Sequence, residues 1–218
     1  MQIELSDASM RFGEVVALEH ASVSVSSGEV TCLLGDNGAG KSTVIRILSG
    51  VYQPTAGTYR IDGQQVHLAS PRAALERGIA TVHQDLGLIP LLSIWRNFFL
   101  GAETTRGRGL FRHIDVAACR AVTRESLQSM GIVVRDPDEP VAKLSGGERQ
   151  SIAIARAIHR GARILILDEP TAALGVKQAE IVLRNVAQAR DRGVGVLLVT
   201  LLIFRTARSW VHYEGDAR

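Results

Sequence analysis

One octapeptide limits what this chain can become. Gly35-Asp36-Asn37-Gly38-Ala39-Gly40-Lys41-Ser42 follows the apolar run Glu29–Leu34 and opens a helix-forming stretch, Lys41–Leu48. It fits G-x-x-x-x-G-K-[ST] in full. The three glycines let the backbone curl until successive N–H groups point inward. The helix that follows adds its positive N-terminal end. Strand, loop and helix in that order make a cradle for phosphate oxygens. The candidate contact set is Gly35, Asp36, Asn37, Gly38, Ala39, Gly40, Lys41, Ser42 and Thr43. Within it, Lys41 is placed to bridge the outer phosphates and Ser42 to ligate Mg²⁺.

Composition agrees with one domain built around such a loop. The chain has 218 residues, 46% hydrophobic and 22% charged, which excludes a disordered or fibrous chain. Its 21 glycines against 6 prolines suit tight functional loops better than flexible linkers. A net charge of +3 is a weak signal for nucleic acid. Cys32 and Cys119 fit neither a disulfide framework nor a metal motif and are expected to be buried and reduced. No signal peptide is visible at the N-terminus. The longest apolar run, Val194 to Phe204, is far short of the roughly 20 residues that span a bilayer. The expectation is a soluble, cytoplasmic chain, held at a membrane only through a partner.

Patterning along the chain predicts an α/β architecture. Alternating segments around Ile3–Leu5 and Ala21–Val25 read as antiparallel strands, and Tyr59–Ile61, Asp62-Gly63 and Gln65–His67 as a hairpin. Ser70-Pro71 reads as a capped helix start. Apolar strands at 29–34, 79–82, 164–167 and 193–200 alternate with helices at 41–48, 116–130, 148–159 and 176–192. That alternation implies a parallel sheet covered on both faces.

Two further motifs carry chemistry. Ile164-Leu165-Ile166-Leu167 ends in Asp168-Glu169, at the carboxyl end of a buried strand where ligands sit in open α/β sheets. Asp168 is a candidate to hold Mg²⁺ through water, and Glu169 a candidate general base for an attacking water. Leu144-Ser145-Gly146-Gly147-Glu148-Arg149-Gln150 opens another helix, which offers a second set of donors to an anion.

These three motifs in this order resemble the nucleotide-binding subunit of an ATP-binding cassette (ABC) transporter, over residues 1 to about 200. The resemblance implies a P-loop NTPase (RecA-like) core with an N-terminal antiparallel β subdomain. A helical signature subdomain would be inserted at about 88–155. It implies ATP and Mg²⁺ as cofactors. Phe12 then matches the aromatic that stacks on adenine. Gln84 matches the glutamine that touches Mg²⁺ and water, while His83 beside it reads as structural. Glu169, Gln84 and Lys41 are the catalytic candidates, and Ser42, Gln84 and Asp168 the metal candidates. Ser145, Gly146 and Gly147 would contact the γ-phosphate of ATP bound to the opposite copy in a head-to-tail dimer. Gly175 stands where the family's dimer-contacting loop usually ends in Asp. The wording at 50–57, 80–86 and 169–178 is similar to ATPases of ribose- and fructose-type sugar importers. The implied partners are a membrane permease, a second copy of the chain and, indirectly, a sugar-binding protein outside the membrane. No nucleic acid is implied, and the implied location is the inner face of the cell membrane. Ile89, Pro90, Leu91, Leu92, Trp95, Phe98 and Phe99 are candidates to receive the permease, or ordinary core.

The resemblance stops at Thr200. The family has a histidine just past that strand, and here Leu201-Leu202-Ile203-Phe204 follows. None of these side chains can donate a hydrogen bond. His212 is too late in the sequence. Residues 201–218 read as an aberrant or truncated tail without the closing elements, from a reading-frame shift near codon 201 or as a genuine variant that lacks the histidine, so ATP binding is expected ahead of turnover. The competing readings are a motor subunit that drives a permease, a binding-only relative, and a soluble DNA-repair or translation ATPase. The last is disfavoured because the chain holds one cassette and no sustained heptads.

Overall fold

The structure is a computed structural model that describes residues 1–132, 136–200 and 211–214. Alternation of apolar and polar residues makes the first hairpin, β1 (Gln2–Phe12) and β2 (Val15–Ser26), which pair antiparallel. Ile3 and Leu5 face inward. The register then shifts between Leu5 and Ala8, so the inward face resumes at Ala8 and Met10. This β-bulge lets one strand run eleven residues where the sequence suggested separate short pieces.

Strand β3 (Val30–Leu34) feeds the glycine loop, and α1 (Lys41–Leu48) leaves it. Next come β4 (Ala56–Ile61) and β5 (Gln64–Gln65), turned at Asp62 and Gly63, both at positive φ as the hairpin reading required. Helix α2 (Pro71–Glu76) starts with Ser70 accepting from the Ala73 amide and Pro71 in the first turn. It leads to β6 (Ile79–Val82). Helix α3 (Ile94–Phe99), a small hairpin of β7 (Thr105–Arg106) and β8 (His113–Ile114), and α4 (Val116–Ser129) follow. The chain continues through α5 (Gly146–His159), β9 (Ile164–Asp168), α6 (Val176–Asp191), β10 (Gly195–Thr200) and β11 (Val211–Glu214).

Two sheets organise these elements. An antiparallel sheet has the order β2-β1-β4-β5, and an all-parallel sheet the order β11-β3-β10-β9-β6. The parallel sheet is buried on both faces, and its period of two divides the core. Leu33, Ile164, Ile166, Leu197 and Val199 pack with α1 and the antiparallel sheet. Cys32, Leu165, Leu167, Val196 and Leu198 pack with α3, α4, α5 and α6 on the other side. The continuous apolar runs follow from this two-sided burial.

Two readings are refined by the structure. Within the tail taken as patternless, residues 211–214 form β11, parallel to β3. Residues 201–210 and 215–218 lie outside the described residues, so Leu201–Phe204 carries no structural statement. Of the residues offered as docking candidates or ordinary core, Trp95, Phe98 and Phe99 are at most 4% exposed and belong to the core, whereas Ile89 and Leu91 are exposed. Helix α3 is short and packed on several sides, so its aromatics fill the space between α4 and α5.

Both cysteines are buried and unpaired, as expected. Burial pushes the Cys32 thiol up to about 11. The folded chain at pH 8 is therefore expected to react negligibly with a thiol reagent on the minutes scale, and both thiols to react at once in denaturant. Absorbance of the released chromophore checks this. A second prediction concerns Gly195, where β10 begins. A Cβ there would lie 2.4 Å from the Ser26 carbonyl oxygen and 2.7 Å from Ile164 Cδ1. Gly195→Val is expected to cost about 3 kcal/mol by overpacking. Gly175→Ala, with nothing within 4 Å, should cost little. Denaturant midpoints compare the two.

Candidate functional site

The loop after β3 is shaped by its glycines and closed by its lysine. Gly40 adopts φ 82 as the residue preceding α1, a left-handed conformation that strains other residues. A side chain there would also strike Leu18 Cδ1 at 2.8 Å and the Ala17 carbonyl at 3.1 Å, so β2 backs directly onto the loop. The amides of Thr43 and Val44 return to the Gly40 carbonyl at 2.9 and 3.0 Å. Lys41 is buried, and its Nζ donates to the carbonyls of Gly35 (2.6 Å) and Asp36 (2.8 Å). The ammonium thus spans the loop's first turn, with one N–H left over from its three. Helix α1 has no side-chain cap and no acidic residue in its first turn, so no carboxylate competes with an anion there.

Asp168 stands at the same edge of the sheet. In the register, Thr200 lies opposite Leu34 on one side of β10, and Val199 opposite Asp168 on the other. The strand that carries the loop and the strand that ends in Asp168 are separated only by β10, about 10 Å axis to axis at ordinary strand spacing. Asp168 is partly buried, with its Oδ2 3.9 Å from Nδ1 of His83. His83 thus lies beside Asp168, and it also lines a cleft by β6 and α5. No group of three or more His, Cys, Asp or Glu that could hold a metal exists among the described residues. The Ser42 hydroxyl and the Asp168 carboxylate are hard oxygen donors at this edge. That set fits Mg²⁺, which binds through few protein oxygens and takes phosphate and water for the rest.

Glu169 has φ 46, uncommon for a residue of this kind. Its amide donates to the Val199 carbonyl at 2.9 Å, which ties the turn to the end of β10. Glu169 lines a cleft of about 300 Å³ together with Gln84, Gly146, Arg149, Gln150 and Leu174. The segment after Gln84 is pinned from both sides. Arg156 donates to the Leu86 carbonyl at 2.8 Å, and buried Asn97 accepts from the Ile89 amide at 2.7 Å. The structure thus brings Gln84, Glu169 and Gly146 together. It leaves residues 35–43 out of that cleft, and Phe12 at the tip of the β1–β2 hairpin.

The start of α5 is a helix cap as well as a set of backbone donors. Ser145 and Glu148 form a capping box. The Glu148 carboxylate accepts from the Ser145 amide at 2.8 Å and from its hydroxyl at 2.7 Å. The Ser145 hydroxyl reaches a phosphate only by turning away from that carboxylate. A Cβ at Gly146 would lie 2.6 Å from Leu174 Cδ2, and one at Gly147 would lie 3.1 Å from the Gln178 carbonyl. These glycines let α5 approach α6 and the loop before it. Buried Asn185 on α6 then reaches Ser151, whose hydroxyl donates to the Gly147 carbonyl. Only long-range contacts reveal this second role. Gly175 precedes α6 with no side-chain cap.

Comparison with known proteins places this geometry in context. Residues 18–172 match the model of the family described as ABC transporter. The ribose import ATP-binding protein of Chromobacterium violaceum is 42% identical over 200 residues, covering 92% of this chain and 39% of that protein. The fructose import ATP-binding protein of Rhizobium meliloti is 42% identical over 195 residues, covering 87% of this chain and 75% of that protein. The chain therefore spans about two fifths of the first relative's length and three quarters of the second's. Among solved structures, an ATP-binding cassette of an ABC transporter in its ADP conformation superposes with a TM-score of 0.79 at 21% identity. That match covers 94% of this chain and 83% of the other. A dimeric ATP-binding cassette in a post-hydrolysis state, bound to ADP and phosphate, gives a TM-score of 0.70 at 27% identity, covering 91% and 87%.

Proposed function

Because the chain belongs to the ABC transporter family, we propose that it binds MgATP on the loop at 35–43 and drives the import of a monosaccharide. The observation that carries the reading is the loop itself, an uncapped helix end closed by a buried lysine and flanked at the same sheet edge by Asp168 and Glu169. Loop amides and Lys41 would hold the phosphates. Ser42, Asp168 and Gln84 would hold Mg²⁺, which would supply charge neutralisation at the phosphates. Glu169 would take the proton of the attacking water, and Gln84 would orient that water. A second copy would present Ser145, Gly146 and Gly147 across the nucleotide. The relatives' names support the sugar class.

A permease would anchor the chain at the inner face of the membrane, since no helix among the described residues is long and apolar enough to cross one. Exposed Ile89 and Leu91 remain candidates for that contact. So does a cleft of about 250 Å³ between α2, β6 and α5, whose lining includes Arg156 and Arg160 but no carboxylate. A sugar-binding protein would act indirectly, through the permease. The helices from about 88 to 155 form the unit proposed to meet the permease.

The second reading is a chain that binds ATP but turns it over slowly. It rests on Leu201, which follows Thr200 directly where the family places a histidine. Losing one positioned donor to the transition state costs roughly 10²–10³ in rate. Affinity and turnover measured on one sample separate the readings. Tight MgATP binding with turnover depressed by that factor supports the second, and turnover at the relatives' rate supports the first. Absence of MgATP binding contradicts both.

A further inference from the structure

The C-terminal end of α1 carries a side-chain relay that the proposed function does not use. The Arg46 carbonyl accepts from the amides of Val51 (2.8 Å) and Tyr52 (3.0 Å), which folds the chain back over the last turn. Gly50 makes this return possible. Its φ is 74, and a Cβ there would lie 2.7 Å from the Ser70 carbonyl oxygen. The Arg46 guanidinium stands 5.6 Å from the centre of the Tyr52 ring, and its Nη1 donates to the Tyr52 hydroxyl at 3.3 Å. The Tyr52 ring meets Phe12 edge to face, with centroids 5.1 Å apart and planes at 68°. Backbone and guanidinium thus fix Tyr52 to α1, and Tyr52 fixes Phe12.

Phe12 is 44% exposed at the tip of the β1–β2 hairpin, pairing with Val15. The same hairpin touches the phosphate loop, because Ala17 and Leu18 back onto Gly40. An exposed ring beside a phosphate cradle, braced by a second ring, has the chemistry to receive a flat, electron-rich heterocycle attached to phosphates. We propose that Tyr52, held by Arg46, is a positioning residue that presents Phe12 to the purine base of the bound nucleotide. The proposal rests on the reading that Phe12 stacks on that base. Helix α1 then serves both ends of the ligand. Its first turn receives phosphate, and its last turn orients the platform for the base. An edge-to-face contact confines the Phe12 ring, so less freedom is lost when the base arrives.

The test compares MgATP with inorganic tripolyphosphate, which carries the phosphates without the base, in equilibrium binding to the full chain. Phe12→Ala is expected to weaken MgATP about tenfold or more, as loss of a base–aromatic stack does. Tyr52→Ala should weaken it about threefold to tenfold, and Tyr52→Phe, which keeps the ring contacts, less than about twofold. Tripolyphosphate affinity should stay within about twofold in every variant, which also reports an intact fold. The double variant Phe12→Ala/Tyr52→Ala should bind MgATP no more weakly than Phe12→Ala alone. The proposal is overturned if Tyr52→Ala leaves MgATP affinity unchanged while Phe12→Ala lowers it. Equal loss for tripolyphosphate, or full additivity in the double variant, overturns it as well. If Phe12→Ala itself has no effect, the base-stacking reading fails, and the brace fails with it.

Discussion

Lys41→Ala is expected to weaken MgATP binding by roughly two orders of magnitude, about 3 kcal/mol, the scale of truncating one partner of a buried charge pair. The side chain does two things, and both bear on the result. It carries the positive charge at the loop, and it holds the Gly35 and Asp36 carbonyls at 2.6 and 2.8 Å. The alanine variant removes the charge and also frees two carbonyls of the loop. Each loss acts against an anion. Lys41→Arg keeps the charge but replaces a compact ammonium with a planar fork. It should recover only part of the affinity. Melting temperatures without nucleotide should differ little, because the lysine contacts lie within the loop and do not join separate layers of the core.

Glu169→Gln has the second large effect, on turnover. The amide keeps the size of the side chain and cannot accept a proton from water. Loss of a general base lowers rate by roughly 10²–10⁴. Nucleotide affinity should stay within about threefold, since phosphate contacts come from residues 35–43. The backbone supplies a check on this assignment. Glu169 holds φ 46, and a left-handed conformation costs an ordinary residue about 1 kcal/mol. Glu169→Gly removes that strain, so it should be about as stable as the parent chain yet as slow as the glutamine variant. Stability kept with turnover lost would mark a strained residue retained for chemistry. Steady-state phosphate release and thermal melts on the same three proteins give the comparison.

The parts of this molecule that were legible in the sequence are the local ones. The loop at 35–42 is contiguous, so its spacing fixes its shape. The bounds of α1 follow from Gly40 before it and the return at Gly50 after it. Ser70-Pro71 and Asp62-Gly63 each encode their own turn. The two-faced burial of β9 was readable because four apolar residues in a row cannot have a wet side. Distant neighbours decide the features that stayed hidden. Trp95, Phe98 and Phe99 read in sequence as either a docking patch or core, and they are core because α4 and α5 close over them. Gly146 and Gly147 read as anion-binding glycines, yet Leu174 also leaves no room for a Cβ at the first, and Gln178 crowds one at the second. The link from Arg46 through Tyr52 to Phe12 joins positions forty residues apart that no periodicity connects.

The most direct test of the account is an equilibrium titration of the full chain with MgATP, run beside Lys41→Ala. Saturable binding at one site per chain is expected, reduced by about two orders of magnitude in the variant. No saturable binding to the parent chain, or equal binding to both proteins, would contradict it.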